Sequence, residues 1–173
     1  MDDNYIVESE RLYLKEFTLE DVEKLFRLNG NADVMKYIRT PETDINVIKE
    51  NIVKIRKYYS ENPNFGVWAG YEKKSDEFIG FFELAHMDNT AEIEVGYRLH
   101  KKYWNNGFAT EMTKILIDYG FNEMGLEQIV GITHPGNIAS QKVLLKSGLR
   151  YIKDAFYYDT DVKYFVIDKN KKI

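Results

Sequence analysis

The run from Glu92 to Gly125 constrains the fold more than any other part of the chain. Glu92-Ile93-Glu94-Val95-Gly96-Tyr97-Arg98-Leu99 alternates polar with β-branched and aromatic residues, the pattern of a strand. Tyr103-Trp104-Asn105-Asn106-Gly107-Phe108-Ala109-Thr110-Glu111 then leads into an amphipathic run that reaches Met124 and stops at Gly125, as a helix with a glycine at C′ does. A turn of small residues therefore delivers the chain from a strand to a helix N-terminus. The first N–H groups of a helix have no intrahelical partner and the macrodipole is positive there, which favours an anion. Gly107 and Ala109 keep side chains out of the path of a phosphate approaching those amides. A plain tight turn before a helix carries the same local signature, so this stretch alone does not decide the matter.

The rest of the chain supplies the setting. Arg11 to Phe17 predicts a first strand, and Thr18-Leu19-Glu20-Asp21 an N-cap with an acidic residue at N3, opening a helix through about Leu28. Asn29-Gly30-Asn31 breaks it and a short helical turn follows from Asp33 to Tyr37. Ile45, Ile48, Ile52, Ile55 and Tyr59 recur at three- and four-residue spacing, predicting an amphipathic helix from Asp44 to Tyr59. Strands are expected at Phe65–Tyr71 and Phe78–Leu84, joined by the hairpin loop Lys73-Lys74-Ser75-Asp76, and both feed the central strand Glu92–Leu99. A strand at Gln128–Thr133, a helix at Asn137–Ser147 and a final strand pair, about Leu149–Tyr157 and Lys163–Asp168, complete a mixed sheet. The basic tail Lys169 to Ile173 is expected to fray. Gly96 interrupts a good strand and predicts a bulge or a close backbone approach, against the plainer reading of a glycine that lets a neighbour pack.

Composition narrows the class. A chain of 173 residues, 44% hydrophobic and 30% charged, fits one domain, 1–173, with an ample core. A net charge of −4 gives no basic face for nucleic acid. Cysteine is absent, which removes disulfides, thiolate metal sites and a cysteine nucleophile. The acidic start Met1-Asp2-Asp3-Asn4 is followed by no long apolar run, so neither a signal peptide nor a membrane contact is expected and a cytoplasmic location is the default. His86, His100 and His134 share no metal-ligand spacing, and no metal site is expected. No lysine follows the glycine turn in a P-loop pattern.

The second informative stretch lies about thirty residues beyond the first. Asn137-Ile138-Ala139-Ser140-Gln141-Lys142-Val143-Leu144-Leu145-Lys146-Ser147-Gly148-Leu149 resembles the second diagnostic motif of the GCN5-related N-acetyltransferases (GNAT). Tyr103–Glu111 resembles the pyrophosphate-binding motif of that superfamily in the form used by its RimJ/RimL-type ribosomal-protein N-acetyltransferase branch, with Trp104 where the wider superfamily has Gln or Arg. Glu10-Arg11-Leu12-Tyr13-Leu14-Lys15-Glu16-Phe17-Thr18-Leu19-Glu20-Asp21 also looks like this branch. The resemblance runs from about Glu8 to Asp168. It implies an α/β (α+β) GNAT fold: a mixed, mostly antiparallel central sheet of about seven strands flanked by helices. A splayed central strand pair, Glu92–Leu99 beside Gln128–Thr133, would form the acyl-CoA cleft.

The activity so implied is transfer of an acetyl group from acetyl-CoA to an amine, with both bound at once and no metal. The acceptor could be a protein N-terminus, a polyamine, an aminoglycoside or another small amine; a homodimer is compatible with the pattern. By resemblance, Asn105, Asn106, Gly107, Phe108, Ala109 and Thr110 hold the pyrophosphate, backbone around Tyr97 to Leu99 pairs with the pantetheine arm, Asn137 contacts that arm, and Lys146 meets a CoA phosphate. A thioester is already activated, so alignment, oxyanion stabilisation and proton handling suffice. Many superfamily members place a tyrosine a few residues after Ser140 as the leaving-group acid. Here the segment reads Val143-Leu144-Leu145, which leaves Ser140, also N3 of its helix with Asn137 as N-cap. For the general base Glu83, Glu92 and Glu94 are candidates, Glu94 first. A module that binds CoA without transferring the acetyl group is the competing reading.

Overall fold

The computed structural model describes residues 5–171. Val7–Glu8 (β1) and Leu12–Glu16 (β2) open the chain. Thr18 and Asp21 form the expected capping box around a 3-10 turn, Leu19–Asp21, that leads into α1, Val22–Asn29. Asn31 caps the short α2, Ala32–Met35, through bonds from Asp33 and Val34. Asp44 caps α3, Ile45–Glu61, accepting from Asn46 N at 2.9 Å. Next come β3 (Gly66–Glu72), β4 (Phe78–His86) and β5 (Ile93–Leu99), then α4 (Phe108–Asn122), β6 (Gln128–Thr133), α5 (Ile138–Lys146), β7 (Arg150–Tyr157) and β8 (Thr160–Asp168). Of the basic tail, Lys169–Lys171 forms a 3-10 turn; its last two residues, like the acidic start Met1 to Asn4, lie outside the described residues.

The sheet order is β1-β2-β3-β4-β5-β6-β8-β7, with β5–β6 the parallel pair and every other pair antiparallel. It has eight strands rather than about seven, because Val7 and Glu8 fold back onto Leu14 and Tyr13. Two residues are too few to carry a readable alternation. Among the described residues no helix is long and apolar enough to cross a membrane.

Strand alternation gives the sheet two unlike faces. Leu12, Leu14, Trp68, Phe82, Leu84, Val95 and Leu99 pack with Met112, Leu116, Ile117 and Phe121 of α4. Phe17, Ala69 and Phe81 face the other way and pack with Leu25, Leu28, Ile48 and Ile52 of α1 and α3. The register of β4 on β5 sets Phe81 opposite Arg98, Glu83 opposite Gly96 and Ala85 opposite Glu94, so Glu83, Glu94 and Arg98 share this second face. The helical face carries apolar side chains to the very strand that holds the polar cluster on its reverse.

Candidate active site

The turn before α4 is built for backbone exposure. Asn105 has φ +61° and Gly107 φ +80°, left-handed conformations that turn the chain sharply into Phe108. No side chain caps the helix, so its leading N–H groups are left to an outside partner. Glycine suits the position because of the positive φ alone: a Cβ there would meet only Arg11 Nη2, at an ordinary contact distance of 3.4 Å. Asn105 and Asn106 precede the helix and belong to the loop, so the helix proper begins later than Asn105. Asn106 Nδ2 donates to the Trp104 carbonyl at 3.0 Å, and Trp104 Nε1 to the Leu99 carbonyl at 2.9 Å, fastening the loop to the end of β5.

A second support comes from across the chain. Arg11 Nη1 donates to the Asn106 carbonyl at 3.0 Å, its guanidinium pairs with Glu111 at 2.6 Å, and it lies 4.4 Å over the Phe108 ring. Ser9 Oγ donates to the same Glu111 carboxylate at 2.7 Å. Ser9, Arg11 and Glu111 are therefore part of the loop's scaffold. The opening motif contains Arg11, but its tie to a residue 100 positions away is visible only once β2 and α4 are side by side.

Beside this loop the sheet parts. One residue pair, Glu94 with Val130, joins β5 to β6, whereas β5 pairs with β4 along its whole length. Beyond Glu94 the β6-facing edge of β5, through Tyr97 toward Leu99, has no strand partner. Asn137 caps α5: its Oδ1 accepts from Ser140 N at 3.1 Å, the N-cap expected. The Tyr97 hydroxyl donates to Ser140 Oγ over a long 3.3 Å, with burial raising the phenol's pKa and the serine bond opposing. No tyrosine follows Ser140 within α5, yet β5 delivers one to it. Lys146 is exposed on the last turn of α5, about 9 Å along the axis from Ser140.

The carboxylates lie on the reverse face. Glu94 is 8% exposed, and burial, then the charge of Glu83, push its pKa well above the carboxylate range, with Asp88 adding to the rise. The Tyr158 hydroxyl donates to Glu94 Oε2 at 3.0 Å and opposes that shift. Burial also raises Glu83, while the Arg98 charge lowers it. Two carboxylates so placed resist simultaneous ionisation. Glu92, the third candidate, is engaged elsewhere, accepting from the Tyr164 hydroxyl. At Gly96 the ladder stays in register, so there is no bulge. The missing side chain makes room for the Glu83 carboxylate, with which any Cβ would collide. The plainer reading of Gly96 holds, with the difference that the neighbour it admits is an acid.

Tyr158 carries no sequence signal for this position. It and Asp159 form the two-residue turn between β7 and β8 at φ +51° and +57°, conformations that a bulky residue rarely adopts. Asp88 holds the turn: Tyr158 N donates to its carboxylate at 3.1 Å, and Asp88 N donates to the Tyr158 hydroxyl at 2.8 Å. The strained tip thereby sets a phenol onto Glu94. Of the histidines, His86 meets the Tyr58 hydroxyl at 2.7 Å and His134 stacks near Tyr37, while burial and Lys102 lower the pKa of His100. Among the described residues no group of three or more His, Asp or Glu is placed to hold a metal ion.

Comparison with known proteins fits this arrangement. The family model of the acetyltransferase (GNAT) domain matches residues 11–150. The uncharacterized N-acetyltransferase YoaA of Bacillus subtilis is 31% identical over 172 residues, covering 91% of this chain and 94% of that protein. The ribosomal-protein-S5-alanine acetyltransferase of Vibrio fischeri superposes with a TM-score of 0.75 at 17% identity, covering 96% of this chain and 97% of that one. RimJ of Mycobacterium smegmatis, solved in complex with CoA-disulfide, superposes with a TM-score of 0.77 at 16% identity, covering 92% of this chain and 83% of that one. With the parted β5–β6 pair, the uncapped helix and a family model spanning most of its length, the chain belongs to the GNAT N-acetyltransferases.

Proposed function

We propose that the protein transfers an acetyl group from acetyl-CoA directly to a primary amine while both are bound. The observation that carries this reading is the opening between β5 and β6, with the hydroxyls of Tyr97 and Ser140 on one face of β5 and the carboxylates of Glu83 and Glu94 on the other. Acetyl-CoA, when bound, supplies an acyl group already activated as a thioester, so the protein needs no nucleophile of its own. The fit rests on polar groups with bonds to spare: the leading amides of α4 for a diphosphate, the open edge of β5 at Tyr97 for an amide-bearing arm, and Nδ2 of Asn137, whose Oδ1 is taken by the helix cap. Asn105, Asn106, Gly107, Phe108, Ala109 and Thr110 would hold the diphosphate, and Lys146 an outer phosphate.

On the acceptor side, Glu94 takes the proton of the incoming amine, with Glu83 sharing the load. A raised pKa makes Glu94 a better proton acceptor once ionised than an ordinary carboxylate. On the other face, Tyr97 holds Ser140 Oγ as an acceptor, which leaves the serine's own proton free to point toward the thiolate position. An α-amine, with a pKa of roughly 7.7–8.0, has a usable neutral fraction at neutral pH, whereas a lysine-like amine near roughly 10.4 needs about 4 kcal/mol more help.

The test is thiol release from acetyl-CoA against peptides with free N-termini, spermidine, an aminoglycoside and small amino compounds. Turnover with any of them is expected, and Ser140→Ala should lower kcat by about 10²-fold, the low end for a positioned acid. Binding of acetyl-CoA with no release across the panel would instead mark a CoA-binding module.

Tyr158→Phe tests the hairpin tip. The phenol stabilises the ionised form of Glu94, so its loss should raise the carboxyl pKa further. The acidic limb of the kcat/KM profile should then move to higher pH, while the alkaline limb stays in place.

A further inference from the structure

We infer that the acceptor carries a carboxylate close to its amine, and that Arg98 binds this carboxylate while Glu83 and Glu94 face the amine. A free α-amino acid is the simplest such molecule. The inference rests on the acetyltransferase reading above and goes on to name the substrate class.

The argument starts from a guanidinium without a matching acid. Arg98 projects from the same face of β5 as Glu94, two residues past Gly96, over which the Glu83 carboxylate lies. Its guanidinium stacks 4.9 Å over the Phe81 ring, and Nη1 donates to Asn29 Oδ1 at 2.5 Å. Nε is buried and has no hydrogen-bond partner among the described residues. Burial is severe enough to bring the pKa of Arg98 down to about 10, with Glu83 opposing that change and Arg39 adding to it.

Arg98 is half-buried as a whole, but its Nε is out of contact with water. A guanidinium so placed normally meets a carboxylate, because an unpaired charge taken from water is costly. Glu83 is at hand on the neighbouring strand, yet among the described residues none of the ion pairs joins it to Arg98 within 4.0 Å. Glu83 and Arg98 hold diagonal positions on the paired strands, so both belong to the space over one face of the sheet. Asn29 is a neutral partner and does not balance the charge. Arg39, an exposed residue between α2 and α3, brings a second cation toward the same end. The face therefore runs from cations at Arg98 and Arg39 to anions at Glu83 and Glu94. A polyamine would find like charge at one end of that space. A zwitterion is matched at both ends, and a planar guanidinium fits a carboxylate in two-point contact.

The experiment compares three related acceptors with wild-type enzyme: an L-amino acid, its carboxamide of the same size and the smaller amine lacking the carboxyl group, each scored by thiol release. Dipeptides form a fourth arm, since they present a neutral carbonyl where the free acid presents a charge. The free acid should exceed the other three in kcat/KM by tenfold or more, mostly through KM. Arg98→Gln should erase that ratio, whatever it does to the absolute rates through Glu83 and Glu94, and Arg98→Lys should restore part of it. The ratio is read within one enzyme preparation, so a general loss of fold does not mimic the result. Should Arg98→Gln fail to fold, Arg39→Gln, on an exposed residue, should lower the ratio by a smaller factor. Equal turnover of acid, carboxamide and amine would overturn the inference and leave the acetyltransferase reading standing. A preference for dipeptides over the free acid would overturn it as well. Absence of release from every acceptor would instead strike the underlying reading.

Discussion

Glu94→Gln is expected to lower kcat/KM at neutral pH by about 10²- to 10⁴-fold, the range a positioned general base supplies. The amide keeps the shape of the side chain and can still accept the Tyr158 bond, so the change removes little besides the proton acceptor. The stability effect should have the opposite sign. A carboxyl whose pKa is raised in the folded state destabilises the fold once pH climbs from its unfolded value, roughly 4.3, toward the raised one. A neutral glutamine escapes that cost, so thermal unfolding near pH 8 should occur at a higher temperature in the variant. Slower turnover with a higher Tm separates a lost base from a damaged fold. Glu83→Gln should behave differently. The Glu83 charge raises the pKa of Glu94, so its removal should move the acidic limb of the rate profile to lower pH and retain most activity at pH 8. If Glu83→Gln abolishes turnover while Glu94→Gln only shifts the profile, Glu83 is the base.

Gly80→Ala is expected to destabilise the protein by about 3 kcal/mol or more, measured by urea unfolding. Gly80 sits in β4 at φ +146°, a conformation closed to L side chains, opposite Leu99 in the ladder. A Cβ there would overlap the Arg98 carbonyl and lie 2.8 Å from Leu99 Cα. Nothing near it is a flexible side-chain end, so the strand pair itself would have to part. Gly125→Ala is the matched control. It also has a positive φ, +67°, but its Cβ would enter open space, so it should cost only the conformational penalty of about 1 kcal/mol. The displacement in Gly80→Ala falls on the backbone of Arg98 and Leu99, so acceptor affinity should fall together with stability.

The parts of this fold legible in the sequence are those that local chemistry decides. Asp44 and Asn137 cap the helices that their spacing announces, and the capping box at Thr18 forms around a 3-10 turn. The strand through Glu94 and Tyr97 and the glycine turn after it stand where alternation and small residues put them. What was not legible depends on register. Glu83 and Glu94 become a pair only because β4 and β5 align Glu83 with Gly96, and no local pattern fixes that alignment. Glu92 shares the parity of Glu94 yet is engaged by a tyrosine from β8. The β7–β8 turn lacks the Asn-Gly or Asp-Gly signature of a two-residue hairpin, so Tyr158 gave no sign of reaching Glu94. The tyrosine missing from α5 could be looked for only along α5, whereas the phenol beside Ser140 comes from 43 residues earlier.

The single ladder pair between β5 and β6 leaves backbone unpaired at the centre of the sheet, and a ligand bound there would be linked to folding. The sheet is in effect two sheets, β1–β5 and β6–β8–β7, sewn by one stitch and backed by α4 and α5. Any molecule that lies along the open edge supplies the backbone contacts the chain withholds, and it does so only in the folded state. At a hundred times its dissociation constant such a ligand adds about 2.7 kcal/mol to the free energy of unfolding, a large share of what a domain of this size possesses. The cell's supply of that ligand would then set how long the protein survives as well as how fast it works.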